Sequence, residues 1–346
     1  MASIKSMIRR EASRGTGRPT LAEVAKLAGV SQITASRALR NVPTVDPENV
    51  AKVKDAAKAL GYVPNPAART LASARSQSVV VLVPALANQL FIETLEAIHA
   101  VLHPRGFEIL IGNFHYSKEE EEELIRNYLS FQPCGMLLTG FDRTEASLRL
   151  LEATGVPRVH MMELSRTEDV HSVGFSQEDA GAVVARHLLS KGRRRLAYVA
   201  AQLDARVVQR GEGFKRALAE AGVLDRAVEI KVADPSSVEL GGELFQALLN
   251  DHPDIDGIFF CNDDLAHGAL FEAQRRGVPV PERITFVGFN DLPMSAHTVP
   301  RLTSIRTPRA EVGEHAARLL LQLIGGSETA RKSIDLGFEL MVRESG

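Results

Sequence analysis

The chain has 346 residues, 45% hydrophobic and 24% charged, a balance typical of a soluble globular protein with more than one domain. No apolar run is long enough to span a bilayer, and the basic N-terminus lacks the apolar core of a secretory signal. The two cysteines are far apart and have no metal-binding spacing, so we expect a reduced, cytoplasmic setting, no metal and no cofactor.

The net charge of −2 is divided unevenly along the chain. Residues 1–76 carry thirteen Lys or Arg and five acidic residues, a surplus of +8, and the remainder carries −10. A basic segment in front of an acidic body is typical of a protein whose first domain meets a polyanion. A basic tail kept only for solubility is the alternative, and a folded basic segment argues against it.

Two short helical patterns separated by a glycine begin near residue 20. Thr20 and Glu23 have the spacing of a capping box, and Gly29 suits the left-handed turn that ends a helix. Ser31 can cap the second helix, and a third helix is predicted from about Asp46 to Leu60. The pattern predicts a helix-turn-helix with a supporting helix, and an ordinary three-helix bundle with a polar surface is the alternative.

The second helix carries small polar side chains on one side, which an element that enters a major groove requires. There Gln32 can read an adenine edge, and Arg37 can contact a base or a phosphate. The hydroxyls of Ser31, Thr34 and Ser36 fit the groove floor or a phosphate. We therefore expect this helix to make sequence-specific contacts to DNA.

The stretch GYVPNPAARTLASARSQS follows the third helix. Asn65 is a good N-cap and Pro66 a good first residue, so a short helix is predicted to about Ser73. A helix of this length without a long apolar face is marginal in water. It is either a plain linker or a helix that forms only against DNA and a partner copy, where Leu71 would be an apolar wedge in a minor-groove base step.

Residues 20–76 resemble the lactose and galactose repressor (LacI) family of bacterial transcription regulators. The residues that carry the resemblance are LAEVAKLAGVS, TASRALRN and GYVPNPAARTLAS. It implies a homodimer on a pseudo-palindromic operator, with two hinge helices in the minor groove and Leu71 at the inserted position. Ile33 falls on a recognition position and is predicted to meet a thymine methyl. The predicted DNA contacts are Thr20, Ser31, Gln32, Ile33, Thr34, Ser36, Arg37, Asn41, Tyr62, Asn65, Arg69, Leu71 and Ala72.

From Ser78 onward, apolar strands alternate with amphipathic helices. The predicted strands are SVVVLVPAL, FEILIGN, GMLLTG, VPRVHMME, RRLAYVA, VEIKVA, GIFFCND and ITFVGFN. This rhythm is typical of doubly wound parallel sheets, and its length predicts two similar halves with a ligand cleft at the carboxyl ends of the strands. The acidic run at 119–123 is predicted to open a helix on the solvent side rather than to hold a metal.

The resemblance to the LacI family extends through this α/β body and implies a core similar to a periplasmic sugar-binding protein. Segments such as FSQEDAG, CNDDLAHGALFEAQRRG and PRLTSIRTP are most similar to the repressors of gluconate operons. The implied domains are a flexible basic N-terminus (1–18), a helix-turn-helix domain (19–63), a hinge helix (64–77) and an effector-binding and dimerisation core (78–346). Within the core, the implied subdomains are about 78–175 plus 307–336 and about 176–306.

Two arginines are the main predicted residues of the effector site. Arg206 and Arg210 stand one helical turn apart after the strand RRLAYVA, so both guanidiniums can point the same way and pair with a carboxylate. A pair of surface arginines is the alternative. Asn290 stands after VGF, where the family often has an aspartate, and an amide there removes repulsion against an acidic ligand. The predicted effector is a sugar acid: gluconate first, then 2-ketogluconate or 6-phosphogluconate, with a neutral sugar as the alternative.

The other predicted effector contacts come from both halves of the core. Asn262 and Asp263 end the strand GIFFCND and can bond hydroxyls, although Asp263 or Asp264 can instead cap the next helix. Phe175 can stack on the ligand or belong to the core, and Glu163 can accept hydroxyl bonds or lie on the surface. Three further residues fall where the first half meets the cleft: Pro84, Asn88 and Phe91.

No enzyme motif accompanies these residues. The chain has no phosphate loop ending in Gly-Lys-Ser/Thr, no Gly-x-Ser-x-Gly and no His-Glu-x-x-His, and its ten histidines are scattered. The sequence therefore predicts a dimeric, ligand-responsive transcriptional repressor without catalytic residues, in which the effector either induces or corepresses. A cytoplasmic sugar-binding protein without a regulatory role is the alternative from another class.

Overall fold

The computed structural model describes residues 19–63, 77–86, 89–167, 170–326 and 332–346. Within these ranges no helix is both long and apolar enough to cross a membrane. The chain divides after Arg75 into two compact units. Five predicted site residues lie outside the described ranges: Asn65, Arg69, Leu71, Ala72 and Asn88.

The first unit holds three helices, α1 (Leu21–Ala28), α2 (Gln32–Leu39) and α3 (Pro47–Leu60). Gly29 ends α1 with φ of +69°, a conformation that glycine adopts without strain. The core between the helices is small and consists mainly of alanine and valine side chains, which let short helices approach closely. Its buried members are Val24, Ala25, Ala35, Ala38, Val53, Ala56 and Ala57.

The second unit contains two six-stranded sheets covered by helices. The strands are β1 (Ser78–Val83), β2 (Glu108–Asn113), β3 (Gly135–Thr139), β4 (Arg158–Met161), β5 (Ser172–Gly174), β6 (Leu196–Ala201), β7 (Val228–Val232), β8 (Gly257–Phe260), β9 (Thr285–Asn290), β10 (Thr303–Arg306), β11 (Ser333–Asp335) and β12 (Glu339–Met341). The helices are α4 (Gln89–Leu102), α5 (Lys118–Leu129), α6 (Glu145–Thr154), α7 (Gln177–Ser190), α8 (Ala205–Glu220), α9 (Val238–Asp251), α10 (Asp263–Arg275) and α11 (Arg309–Ile324).

Each sheet has a doubly wound order, which sets where a ligand can bind. The first sheet runs β11-β5-β4-β3-β1-β2, and the second runs β12-β10-β9-β8-β6-β7. All paired strands are parallel except β12, which is antiparallel to β10. In such sheets the carboxyl ends of the central strands open into a crevice, because the helices cover both faces.

The two sheets define two subdomains, and the chain crosses from one to the other three times. Subdomain one contains the first sheet, and α11 packs on its α4, β3 and β4. Subdomain two contains the second sheet. The chain passes between them after β5, after β10 and after β11, so the crossings lie at 175–176, 307–308 and 336–338.

Several elements differ from the sequence expectation. Helix α6 and the strands β5, β10, β11 and β12 were not predicted, and all four of these strands are only three or four residues long with little apolar pattern. The acidic run is not wholly solvated, which corrects the prediction. Glu121 is 1% exposed and pairs with the buried Arg143 at 3.1 Å. A carboxylate on the inner face of α5 is stable there because a guanidinium from another loop accompanies it.

Candidate functional site

The start of α2 exposes the residues predicted to read DNA. Gln32 and Ile33 are the first two residues of the helix, and Ile33 is 68% exposed. Ser31 is the N-cap, since its Oγ accepts from the backbone N of Thr34 at 3.1 Å. Ser31 and Thr34 also share a hydroxyl hydrogen bond of 2.9 Å, so both hydroxyls stay ordered on the exposed side.

The other described members of this surface frame the helix. Thr20 forms the capping box with Glu23, whose Oε2 accepts from the Thr20 backbone N at 2.7 Å. Arg37 is exposed, Ser36 is half-buried, and Asn41 is exposed with a left-handed φ of 51° just after α2. Half-buried Tyr62 donates its backbone N–H to the carbonyl of Ala57 as α3 ends.

A cavity of about 390 Å³ lies at the carboxyl ends of both sheets, between the subdomains. This volume suits a ligand of the size of a monosaccharide. A neighbouring chamber of about 400 Å³ shares His115, Tyr116, Asp204 and Arg206 with it. The walls of the first cavity are Pro84, Ala85, Leu90, His115, Tyr116, Met162, Phe175, Gln177, Ala201, Gln202, Asp204, Arg206, Val207, Arg210, Pro235, Ser236, Asn262, Asp264, Asn290 and Thr307.

Arg210 is a buried cation held by neutral groups. Its Nε donates to Gln177 Oε1 at 2.7 Å, and its Nη1 donates to the carbonyl of Cys261 at 2.7 Å. The guanidinium carbon lies 3.7 Å from the centre of the Phe289 ring. Burial lowers the pKa of Arg210, the nearby carboxylate of Asp204 partly offsets this effect, and the guanidinium stays charged. Its Nη2 makes no hydrogen bond to any residue described, so one edge of the fork remains for a ligand in the cavity.

Arg206 differs from Arg210 because it already has a carboxylate partner. Asp204 caps α8 and accepts from Arg206 Nε at 3.2 Å and from its Nη2 at 3.3 Å. Burial opposes the charged form of Arg206, but the carboxylates of Asp204 and Glu163 outweigh it and raise the pKa of the guanidinium. Both arginines thus line one cavity, as predicted from their spacing, but the charge of Arg206 is largely balanced.

Asn290 and Thr307 present unsatisfied polar atoms within the cavity wall. Each is 4% exposed, and neither Asn290 Oδ1 nor Thr307 Oγ1 has a hydrogen-bond partner among the described residues. A buried polar atom without a partner costs about 1–3 kcal/mol, which a ligand hydroxyl would recover. Asp291 turns away from the cavity, because its carboxylate pairs with Arg306 at 2.9 Å and Arg343 at 2.6 Å.

The turn after β8 corrects one predicted contact. Asp263 is fully buried and does not line the cavity, because its carboxylate accepts from Ser304 Oγ, Ser295 Oγ and the Leu292 backbone N at 2.6–2.7 Å. Asn262, not an aspartate, caps α10 by accepting from the Leu265 backbone N, and its side chain also bonds Ser236 Oγ at 2.7 Å. Asp264 lines the cavity instead and is half-buried.

The remaining predicted contacts divide between the wall and the core. Pro84 and Phe175 line the cavity, and Phe175 also packs against Phe289 with ring centres 6.4 Å apart. Glu163 lines the neighbouring chamber and accepts from Gln209 Nε2 of subdomain two at 2.9 Å. Phe91 is 1% exposed in the core of subdomain one and is not a wall residue, because the inner face of α4 packs onto the sheet.

Several wall residues were missed from the sequence. His115 and Tyr116 follow β2 with consecutive left-handed φ values of 48° and 59°, so the chain is bent toward the cavity. Gln177 donates from Nε2 to the carbonyl of Met162 at 2.9 Å and thereby joins Arg210 to subdomain one. The only sequence signal for them was their position just after a strand.

Both units match known families of bacterial proteins. Residues 20–65 match bacterial regulatory proteins of the lacI family, and residues 185–346 match a periplasmic binding protein-like domain. The HTH-type transcriptional regulator GntR of Pseudomonas aeruginosa is 64% identical over 333 residues, 96% of this chain and 97% of that protein. GntR of Escherichia coli K12 is 35% identical over 323 residues, 93% of this chain and 97% of that protein.

A solved structure supports the same assignment for the core. The transcription regulator GntR from Chromobacterium violaceum is 47% identical and superposes with a TM-score of 0.75 over 78% of this chain and 98% of that one. The same assignment follows from the sequence identity over nearly the whole length, from the match of the N-terminal helices and from the two-sheet core. The chain belongs to the lacI family of bacterial regulatory proteins and is a helix-turn-helix transcriptional regulator of the GntR type.

Proposed function

We propose that this regulator is a cytoplasmic homodimer that represses from a pseudo-palindromic operator and is released by a sugar acid, gluconate, bound in the cleft. The observation that carries the choice of ligand is Arg210. It is a buried guanidinium with neutral hydrogen-bond partners, and its Nη2 at the cavity has no partner among the residues that the structure describes. A carboxylate is the ligand group that such a fork binds best.

The other wall groups favour a hydroxylated chain on that carboxylate. Asn290 Oδ1 and Thr307 Oγ1 lack partners within the described part of the protein, and Asp264 and Asn262 stand on the same wall. Phe175 and Met162 supply apolar surface for the carbon chain. Among sugar acids, the similarity of several core segments to the repressors of gluconate operons supports gluconate before 2-ketogluconate and 6-phosphogluconate.

Release requires that the ligand bind two states of the core unequally. Groups that reach the cavity from both subdomains supply this difference, because their spacing changes when the subdomains move. His115 and Tyr116 come from subdomain one, and Arg210 and Asn290 come from subdomain two. These wall residues bind and orient the ligand, and we propose no catalytic step.

The proposal is tested by a thermal-shift and calorimetric screen of the full chain with gluconate, 2-ketogluconate, 6-phosphogluconate and glucose. A ligand that binds only the folded state raises the melting temperature. We expect gluconate to do so and glucose not to, and gluconate to weaken binding to an operator fragment. Stabilisation by glucose alone would overturn the sugar-acid assignment, and tighter operator binding with gluconate would overturn release.

Two variants on α8 test the role of Arg210. Arg210→Gln should weaken gluconate binding ten- to a hundredfold, because it removes a charge-assisted bond of about 1.5–3 kcal/mol. Arg216→Gln is the matched control, because Arg216 is on the same helix but pairs with Glu178 and Asp179 at the surface. Equal gluconate affinity in the two variants would contradict the assignment of Arg210.

A further inference from the structure

We propose that Arg309 is a positioning residue that joins the cavity residue Asn290 of subdomain two to Glu93 of subdomain one, and thereby couples occupancy of the cleft to movement of α4. The proposal rests on the proposed function, since it needs a ligand that contacts Asn290. It assigns the coupling to a side chain that does not line the cavity.

The guanidinium of Arg309 contacts both subdomains at once. Its Nη1 donates to the backbone carbonyl of Asn290, and its Nη2 and Nε donate to Glu93 at 2.8 and 3.2 Å. Arg309 is 7% exposed, so its bond to the Asn290 carbonyl is buried, whereas the Glu93 carboxylate at the other end is 44% exposed. A planar fork with donors on two edges can hold a carboxylate through two bonds and a carbonyl through a third in a fixed geometry, whereas the ammonium of a lysine is a compact point charge without that fork.

The backbone of Arg309 belongs firmly to subdomain one. It is the first residue of α11, and its carbonyl accepts from Thr94 Oγ1 of α4 at 3.0 Å. One turn later, a Cβ at Gly313 would lie 2.4 Å from the carbonyl oxygen of Thr94, so α11 and α4 are in close backbone contact. We therefore expect the two helices to move as one body. The guanidinium of Arg309 extends from this pair and contacts subdomain two.

Asn290 has an unusual backbone conformation and a side chain at the cavity, so it can pass an effect of the ligand to Arg309. Its φ of 108° is unusual for a residue with a side chain, so this conformation is retained only where neighbours hold it. The side-chain Oδ1 lies at the cavity without a partner in the described chain, while the backbone carbonyl is held by Arg309. A ligand that bonds Oδ1 therefore acts on the same residue whose backbone carbonyl Arg309 holds.

The test measures gluconate affinity and operator affinity separately in the full chain. Glu93→Gln removes the ion pair without touching the cavity, and Arg309→Lys keeps the charge but loses the fork. We expect both variants to bind gluconate within threefold of the unaltered protein. We expect the ratio of operator Kd values with and without gluconate to fall at least tenfold. Glu96→Gln, an exposed position on the same helix, should change neither quantity.

Each outcome decides the proposal. If the folded variants keep the operator ratio of the unaltered protein, Arg309 is only structural and the proposal is wrong. If the unaltered protein binds no sugar acid, the proposed function is wrong. The connection between the subdomains is then tested by amide hydrogen exchange in the absence of ligand. Faster exchange in Glu93→Gln at the amides of Asn290–Leu292 together with the first turns of α4 supports the connection across the subdomains. Faster exchange in α4 alone overturns it.

Discussion

At the scale of single residues, the cavity distinguishes its two arginines by their partners. Arg206 faces the carboxylate of Asp204, and Arg210 faces an amide and a carbonyl. The fork of Arg206 is thus largely occupied before a ligand arrives, whereas Nη2 of Arg210 has no hydrogen-bond partner in the described part of the chain. Sequence spacing places the two side chains on one helix face but cannot say which charge is balanced, because that depends on a cap residue's rotamer.

Replacing Asn290 by aspartate should weaken the binding of the proposed sugar acid. Asn290→Asp adds a negative charge to the wall that Arg210 shares, so gluconate affinity should fall at least tenfold, about 1.4 kcal/mol. Calorimetry on the full chain measures this change. Asn250→Asp makes the same substitution at an exposed position of α9 and should leave affinity unchanged. Unchanged gluconate binding by Asn290→Asp would show that its side chain does not face the ligand.

Ile33 should affect which operator is preferred rather than the overall strength of DNA binding. Ile33→Thr removes an exposed apolar contact suited to a thymine methyl, so discrimination at one base pair of each half-site should change by about 1–3 kcal/mol. A selection from randomised operator fragments measures the preference. Lys54→Ala, at an exposed position of α3, should weaken binding to all sequences alike. The same preferred sequence from Ile33→Thr would exclude a base contact.

At the scale of elements, two glycines let α7 and α8 pack backbone to backbone. A Cβ at Gly181 would lie 2.0 Å from the carbonyl oxygen of Arg210, and one at Gly213 would lie 1.8 Å from that of Glu178. The contact has a functional consequence, because α8 carries both cavity arginines. The position of Arg210 in the cleft is therefore set by the size of a residue on the neighbouring helix.

Gly181→Ala should both destabilise the core and weaken the ligand site. The added methyl meets backbone that cannot rotate away, so unfolding free energy should fall by about 1–3 kcal/mol and gluconate affinity should fall with it. Gly242→Ala in α9 is the control, since its nearest neighbour would lie 3.4 Å away. A helical alanine there should be neutral or stabilise by up to about 1 kcal/mol. Denaturant unfolding of both variants makes the comparison, and equal stabilities would contradict the close contact.

At the scale of the whole molecule, a buried polar cluster in subdomain one makes stability depend on pH. His160 is 4% exposed, donates from Nδ1 to the carbonyl of Gly140 at 2.9 Å, and stacks on Phe141. Burial and the nearby Arg143 lower its pKa to about 3. His160 thus stays neutral in the folded state at pH values where the unfolded chain, with a pKa near 6.5, takes up a proton. This contribution to stability is present above pH 6.5 and is lost progressively as the pH falls toward 3.

The His160→Gln variant should lose less stability on acidification than the unaltered protein. Between pH 6.5 and pH 4 the difference should reach about 3 kcal/mol, at about 1.4 kcal/mol per pKa unit. Denaturant unfolding across this range measures the two slopes. Exposed His297→Gln is the control and should follow the unaltered protein. Parallel slopes for His160→Gln and the unaltered protein would mean that His160 takes up its proton in the folded state.

The sequence by itself determined the features that depend on neighbours along the chain. The capping box of Thr20 and Glu23, the glycine after α1 and the apolar run of β1 are local, and each was predicted and is observed. The alternation of strands and helices is also local and was enough to predict two doubly wound sheets. The helix-turn-helix could be predicted together with the exposure of Gln32 and Ile33, because short-range hydrogen bonding and periodic burial specify it.

Only the tertiary structure decided which polar groups meet. Asp263 and Asp264 are adjacent in sequence, yet one is buried among Ser295 and Ser304 and the other lines the cavity. Arg309 reaches Asn290 and Glu93 from positions 19 and 216 residues away. Such pairings are formed by the folding of distant segments, and the free energy of a buried charge depends on the partner that the fold provides rather than on its neighbours in the chain.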